Sequence, residues 1–259
     1  MARTGDDQPA FPGQPGSMIF LTSYFWEGSV LLRGMLDAGV GLTHLVIQRP
    51  WWGRRSFIRS RIRYRINAMR HNTNGAPRRY HSLEGTAQRG GLIVHYIDDI
   101  NAAGLRWQDE NVRLIVVAGS RIIKPPVVAR FRGKLVNFHS GLLPHYRGPY
   151  SEFWATHEHR PDLIGCSAHL IDEGIDTGPL LATRVAQLPG DRLTPQEAHH
   201  LNVLQAVSMV VDTVAAYARG ELSPVPQPPG GRTYTHPADD EIARMTQRIG
   251  RSFRVDFIE

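Results

Sequence analysis

Residues 113–148 read RLIVVAGSRIIKPPVVARFRGKLVNFHSGLLPHYRG. Two apolar runs in this stretch, 113–118 (RLIVVA) and 135–138 (LVNF), have the length and the branched side chains of buried strands. The second ends at Asn137–His139 and opens into a Gly/Pro loop. Working outward, residues 18–23 (MIFLTS), 42–47 and 92–97 are further runs of the same kind. Between the first two of these, residues 29–38 carry Leu32, Met35 and Leu36 at helical spacing and stop at Gly39. Strands alternating with helical stretches predict an α/β chain built on an open, mostly parallel twisted sheet with helices on both faces.

A long helix is expected over residues 194–219. Thr194 is a natural N-cap, Pro195 suits the first helical position, Glu197 completes a capping box, and Gly220 stops the helix. Ala198, Leu201, Val207 and Val214 are its expected packing positions. The tail beyond Gly220 is rich in Pro and Gly (PVPQPPGG) and ends in a short polar helix-like segment around 240–249. At about forty residues it is thin for an independent domain. The expected division is a leader over 1–16, a main domain over 17–220 and a short C-terminal extension over 221–259.

Composition bounds the function. The 41% hydrophobic content is enough for a core, and no run of apolar residues approaches the roughly 18 that cross a bilayer. The first residues are polar and rich in Pro and Gly, which reads as a disordered leader with no apolar signal segment. A single cysteine, Cys166, excludes internal disulfides and points to a cytoplasmic protein with no membrane partner. The net charge of +6 is local: no acidic residue stands between Asp37 and Glu84, whereas Arg49, Arg54, Arg55, Arg59, Arg61, Arg63, Arg65, Arg70, Arg78 and Arg79 do. Residues 54–69 read as a basic amphipathic helix, with Ile58, Ile62, Ile66 and Met69 on one face. That helix is either a solvated surface element or a rim that steers an anionic substrate.

Several chemistries lack support. There is no P-loop and no G-x-G-x-x-G after the first strand. His157 and His159 are two apart on an expected helix, and His199 and His200 are adjacent, so neither pair can chelate one metal; no metal is expected. Ser140 follows His139 on a strand, where neighbours face opposite ways, and G-x-S-x-G is missing.

The positive signal lies in two segments. Asn137 and His139 project to one face at the C-terminal end of a strand, where open α/β sheets place ligands. Residues 166–182 (CSAHLIDEGIDTGPLLA) hold Asp172 and Asp176 in two tight turns. These segments resemble the family of 10-formyltetrahydrofolate-dependent formyltransferases, which includes glycinamide ribonucleotide transformylase, methionyl-tRNA formyltransferase and sugar N-formyltransferases. The family pattern N-x-H-x-S/G-L-L-P-x-Y-R-G is matched from Asn137 through Gly148, and its Asp-Thr-Gly loop by Asp176, Thr177 and Gly178. Residues 118–125 (AGSRIIKP) are similar to the loop that lines the pterin pocket.

The resemblance implies a Rossmann-like fold with 10-formyltetrahydrofolate as co-substrate, and it implies roles for particular residues. Asn137, His139 and Asp176 would be catalytic; Arg121, Ile122, Ile123, Asp172 and Gly174 would bind the folate. Ser140, Gly141, Tyr146 and Arg147 would border the acceptor amine, with Tyr146 leaning to a structural role and Leu143–Pro144 a candidate cis peptide. His169 and Trp154 are expected in the core. The chemistry suits these residue types: an amine attacking a formamide carbon develops an oxyanion, which Asn137 and a protonated His139 can stabilise while Asp176 manages the proton.

The acceptor is less legible. The short tail cannot supply the tRNA-binding domain of methionyl-tRNA formyltransferases, so tRNA drops in rank. The run Y-R-G followed by F-W-A is closer to sugar formyltransferases, and an anionic small-molecule amine such as a nucleotide-linked amino sugar is the first expectation. A glycinamide ribonucleotide transformylase, a formyltetrahydrofolate hydrolase and a non-catalytic folate-binding module are the alternatives, with a homodimer left open.

Overall fold

A computed structural model of the chain describes residues 16–49, 82–102, 111–190, 193–251 and 253. The expected leader over 1–16 lies outside them except for Gly16, and so does the expected helix at 54–69; of the arginine-rich stretch only Arg49 is described.

In chain order the elements are β1 (Ser17–Thr22), α1 (Trp26–Asp37), β2 (His44–Gln48), α2 (Leu83–Arg89), β3 (Ile93–Ile97), β4 (Val112–Ala118), α3 (Pro125–Arg130) and β5 (Leu135–His139). There follow β6 (Tyr146–Arg147), α4 (Ser151–His157), a 3₁₀ turn (Pro161–Leu163), β7 (Gly165–Leu170), β8 (Leu180–Val185), α5 (Pro195–Arg219), β9 (Arg232–Thr233) and α6 (Asp239–Ile249). Seven strands form one sheet in the order β3-β2-β1-β4-β5-β7-β8. The first five in that order run parallel, and β7 and β8 are antiparallel additions. The fold is therefore a mostly parallel α/β sheet, as the alternation of strands and helices predicts.

Side chains on β1 explain why its sequence is apolar without alternation. Phe20 turns to one face, against Leu31, Leu32 and Met35 of α1 and Val203, Val210 and Val214 of α5. Ile19 and Leu21 turn to the other, with Val127 and Val128 of α3. Both faces are covered, so every position is core.

Helix α1 begins three residues before the expected Ser29, because its first turn, Trp26-Glu27-Gly28, carries no apolar periodicity to read. It is followed by Gly39 at φ +71°, as the stop signal requires. Helix α5 forms as expected: Thr194 Oγ1 accepts from Glu197 N–H and Glu197 Oε2 from Thr194 N–H, and Gly220 adopts φ +76°. Of its expected packing positions, Ala198 and Val214 are buried and Leu201 and Val207 half-buried; His199, Asn202, Val203, Ala206, Val210, Thr213 and Tyr217 also belong to the buried face. The expectation counted apolar positions, whereas this stripe includes three polar residues with internal hydrogen bonds. By length and composition α5 is a candidate membrane span, but it packs as a core helix against α1 and the sheet.

The chain turns back at the strand order. From β1 it proceeds outward through β2 and β3, then returns to β4 on the opposite side of β1 and continues through β5. The helices that follow β1 and β4 lie on opposite faces of the sheet, and a crevice opens at the C-terminal strand ends. The segment after Gly220 lies against this region: Val225 bridges to Leu180, and β9 pairs in parallel with β6. Helix α6 buries Met245 in a cluster with Phe153, Trp154 and Tyr234.

Candidate active site

The crevice holds a cavity of about 770 Å³, within the ~300–1,000 Å³ range of small-molecule sites. Its lining comes from the β4–α3 loop (residues 119–124), from residues 171–176, from Asn137, Phe138 and His139, and from Phe25, Glu27, Ser140, Gly148, Pro149 and Tyr150.

Asn137, His139 and Asp176 converge there. Strand periodicity puts Asn137 and His139 on one side of β5, and the β7–β8 loop brings Asp176 over them. Asp176 Oδ2 accepts the Gly148 N–H at 2.9 Å and lies 3.6 Å from His139 Nδ1. Oδ1 lies 3.4 Å from His169 Nε2 and 3.5 Å from Asn137 Nδ2. Burial alone would raise the Asp176 pKa. The charges and hydrogen bonds of His139, His169 and Gly148 outweigh it and hold the carboxyl well below the usual range. The residue adopts φ +52°, in the left-handed region that aspartate tolerates better than most. Gly178, two residues on, has no room for a Cβ, which would collide with the Leu170 carbonyl.

The ring nitrogens of His139 are distinguishable. Nε2 lies 2.8 Å from the Tyr146 carbonyl, which can only accept, so Nε2 carries a proton. Nδ1 is left to face Asp176 Oδ2.

His169 is buried, as expected, and it also reaches the cavity. It stands opposite Asn137 in the antiparallel β5–β7 register and lines the cavity. Its Nδ1 donates to the Leu170 carbonyl at 2.8 Å, so a neutral Nε2 accepts from Asn137 Nδ2 at 3.1 Å. Nothing in the linear spacing of His169 signals this, because the pairing is set by a reversal of strand direction.

The expected folate residues Arg121, Ile122, Ile123, Asp172 and Gly174 all line the cavity. Arg121 straps three loops, donating to the Asp98 and Arg49 carbonyls and, through its backbone N–H, to Gln48 Oε1. Ile122 is 73% exposed at the rim and Ile123 is buried. Asp172 Oδ1 takes the Gly174 N–H and the Thr177 hydroxyl, which shapes the turn that presents Asp176.

Of the expected acceptor-side residues, Ser140 lines the cavity; Gly141, Tyr146 and Arg147 stand behind its wall. A Cβ on Gly141 would strike His139 Nε2. Tyr146 is buried and donates its hydroxyl to Glu158, as does Tyr234, and this anchors the carbonyl that holds His139. Leu143–Pro144 is cis, and Trp154 is core, with its indole N–H on the Thr235 carbonyl. Cys166 is buried and its thiol is pushed up to about 12 by burial, which removes it as a nucleophile.

Gln227, in the expected extension, fills all its hydrogen-bonding capacity here. Its NH₂ donates to the Asp176 and Gly178 carbonyls, each at 2.8 Å, and its oxygen accepts from Arg147. It locks the turn that carries the carboxylate. Gln227→Ala is expected to lower kcat about tenfold (~1.4 kcal/mol) with a smaller change in KM, because the carboxylate loses its aim and not its presence. Steady-state kinetics check this, and an unaltered kcat would remove Gln227 from the site.

Residues 99–194 match the formyl transferase family. All three convergent residues lie in that formyl transferase segment. Over 143 residues, 54% of this chain and 43% of the relative, it is 36% identical to a methionyl-tRNA formyltransferase of Roseiflexus sp. (strain RS-1). The chain thus spans less than half the length of that curated relative. Among solved structures, glycinamide ribonucleotide transformylase 1 from Symbiobacterium toebii superposes with a TM-score of 0.60 at 18% identity, over 88% of this chain and 96% of that one. A formyltransferase from Anoxybacillus kamchatkensis, in complex with UDP-4,6-dideoxy-4-formamido-L-AltNAc and tetrahydrofolate, gives 0.51 at 19% identity over 85% of each chain. The formyl transferase fold thus extends well beyond the segment that matches in sequence.

Proposed function

We propose that this chain is an N-formyltransferase that passes the formyl group of 10-formyltetrahydrofolate to a primary amine of a small molecule, a nucleotide-linked amino sugar first among candidates. The convergence of Asn137, His139 and Asp176 on one cavity carries the reading. The amine nitrogen attacks the formyl carbon, and the carbonyl electron pair moves onto oxygen, where Asn137 and the Nδ1–H of His139, shared with Asp176, stabilise it. Asp176, ionised and beside His139, accepts the proton the amine loses. Collapse of the intermediate breaks the bond to N10 of the folate, which leaves with a proton returned by the same pair. The 10-formyltetrahydrofolate is assigned to the wall of Arg121, Ile122, Ile123, Asp172 and Gly174, whose isoleucines offer an apolar face to a flat ring.

Two further acceptors have support. Glycinamide ribonucleotide follows from the fold shared with the transformylase. Methionyl-tRNA follows from the names of the curated relatives, which moves it up from its rank on tail length. The folate reading is tested by thermal unfolding with a non-hydrolysable 10-formyltetrahydrofolate analogue. At about 100-fold over Kd the expected stabilisation is ~2.7 kcal/mol, and no shift at saturation would sink the assignment. Tetrahydrofolate release is then followed with amino-sugar nucleotides, glycinamide ribonucleotide, methionyl-tRNA and no amine. Release without amine would indicate a hydrolase, and binding without release a folate-binding module.

A further inference from the structure

One wall of the cavity contains a buried charge cluster that formyl transfer, as derived above, does not use. Glu27 stands in the first turn of α1, Glu152 in the first turn of α4, and His199 is buried in α5. His199 Nε2 lies 2.7 Å from Glu27 Oε1, and its Nδ1 lies 3.0 Å from Glu152 Oε1. Burial disfavours a charge on this ring, but Glu152 and Glu27 outweigh it and push its pKa up to about 10. Two carboxyl groups thus face one imidazolium.

The cluster meets the cavity through a single residue. Glu27 is a lining residue, whereas Glu152 and His199 sit behind it. Among the described residues, Glu27 is the one charged side chain in the part of the lining formed by Phe25, Glu27, Ser140, Gly148, Pro149 and Tyr150. Its Oε1 is taken by His199, and its Oε2 has no internal partner. A buried carboxylate oxygen of this kind favours a hydrogen-bond donor. The wall is also unsuited to an anion. The N-terminal turns of α1 and α4, which by their dipoles would attract a phosphate, each already hold a carboxylate of the chain.

We propose that Glu27, gripped by His199, is the acceptor-recognition residue of this site: it takes the ammonium or hydroxyl donors of the amine-bearing fragment and keeps phosphate off this wall. This rests on the formyltransferase reading for the name "acceptor", but the binding chemistry is measurable without turnover. Any phosphate of the acceptor would then extend away from Glu27, and only the amine-bearing fragment would meet it.

The experiment is calorimetric binding of three probes, 1,4-diaminobutane, glucosamine and glucosamine 6-phosphate, to the full chain and to its Glu27→Gln and Glu27→Asp variants. The wild-type chain is expected to bind the first two more tightly than the phosphate ester. Glu27→Gln is expected to weaken 1,4-diaminobutane at least tenfold and to weaken the neutral-hydroxyl contribution of glucosamine less, because an amide oxygen still accepts. The ester should bind Glu27→Gln more tightly than wild type, and Glu27→Asp should fall between the two. Stabilisation by the folate analogue certifies that each variant is folded. Equal affinities in wild type and Glu27→Gln overturn the proposal, as does tighter wild-type binding of the ester than of glucosamine. With an accepted amine in hand, Glu27→Gln should raise KM far more than it lowers kcat. An unchanged KM alongside active transfer overturns the recognition role alone; Glu27-dependent amine binding with no transfer to any amine overturns the transfer reading alone.

Discussion

Asp176→Asn is expected to reduce formyl transfer by about 10²–10⁴-fold while leaving folate binding largely intact, on the usual contribution of a positioned acid–base group. The substitution keeps the side chain's shape, so the turn defined by Asp172, Thr177 and Gln227 has no reason to rearrange. What changes is charge. His139 Nδ1 loses the anion 3.6 Å away, and His169 Nε2 loses one 3.4 Å away. The Gly148 N–H meets an amide in place of a carboxylate oxygen. Three donors are weakened together, so single replacements of Asn137, His139 and Asp176 should combine less than additively. Stopped-flow or steady-state tetrahydrofolate release measures the loss, and turnover within threefold of wild type would sink the proposed chemistry. Stability has its own sign. The native Asp176 carboxyl is depressed, so its contribution is present above the ordinary carboxylate pKa, near 3.9, and is lost as the pH falls through the lower native value. Asp176→Asn should therefore flatten the acid limb of the unfolding profile.

The largest expected stability effect comes from His199→Leu. Removing the imidazolium leaves Glu27 and Glu152 buried beside each other with no counter-charge, and breaking a buried pair in this way costs about 3–5 kcal/mol. Glu152 is 1% exposed and cannot turn to water without opening the junction of α1, α4 and α5. Asn202 donates to Glu152 Oε1 at 2.9 Å and to the Gly165 carbonyl at 2.8 Å, so the damage reaches β7. Urea unfolding at neutral pH reads the loss, and a difference under 1 kcal/mol would contradict a charged His199. The pH dependence runs opposite to that of Asp176. A histidine whose native pKa is raised to about 10 contributes fully below its unfolded value, near 6.5, and the contribution disappears as the pH rises through the native one. The gap between wild type and variant should therefore narrow on the alkaline side.

Much of the molecule could be read before any coordinates. The capping box at Thr194 and Glu197 and the stops at Gly39 and Gly220 depend on a few consecutive residues whose backbone needs are met locally. The parallel sheet follows from apolar runs too continuous for a half-exposed strand. Asn137 and His139 share a face because a strand has a two-residue period, which needs no tertiary information. Asp176 could be named because the Asp-Thr-Gly turn carries its own local signature.

Other features depend on the meeting of distant segments. His169 joins the site because β7 runs antiparallel to β5 and pairs it with Asn137. Gln227 holds the Asp176 turn from a Pro/Gly-rich tail in which no periodicity marks it. The buried stripe of α5 is partly polar, so hydrophobic spacing finds only part of it; His199 is there because Glu27 and Glu152 arrive from two other helices. Local sequence determined which residues could donate, accept or turn, since those properties belong to a residue and its immediate neighbours. Only the tertiary structure decided which of them meet, because the desolvation and charge that make Asp176 anionic and Glu27 a recognition group arise between segments, not within them.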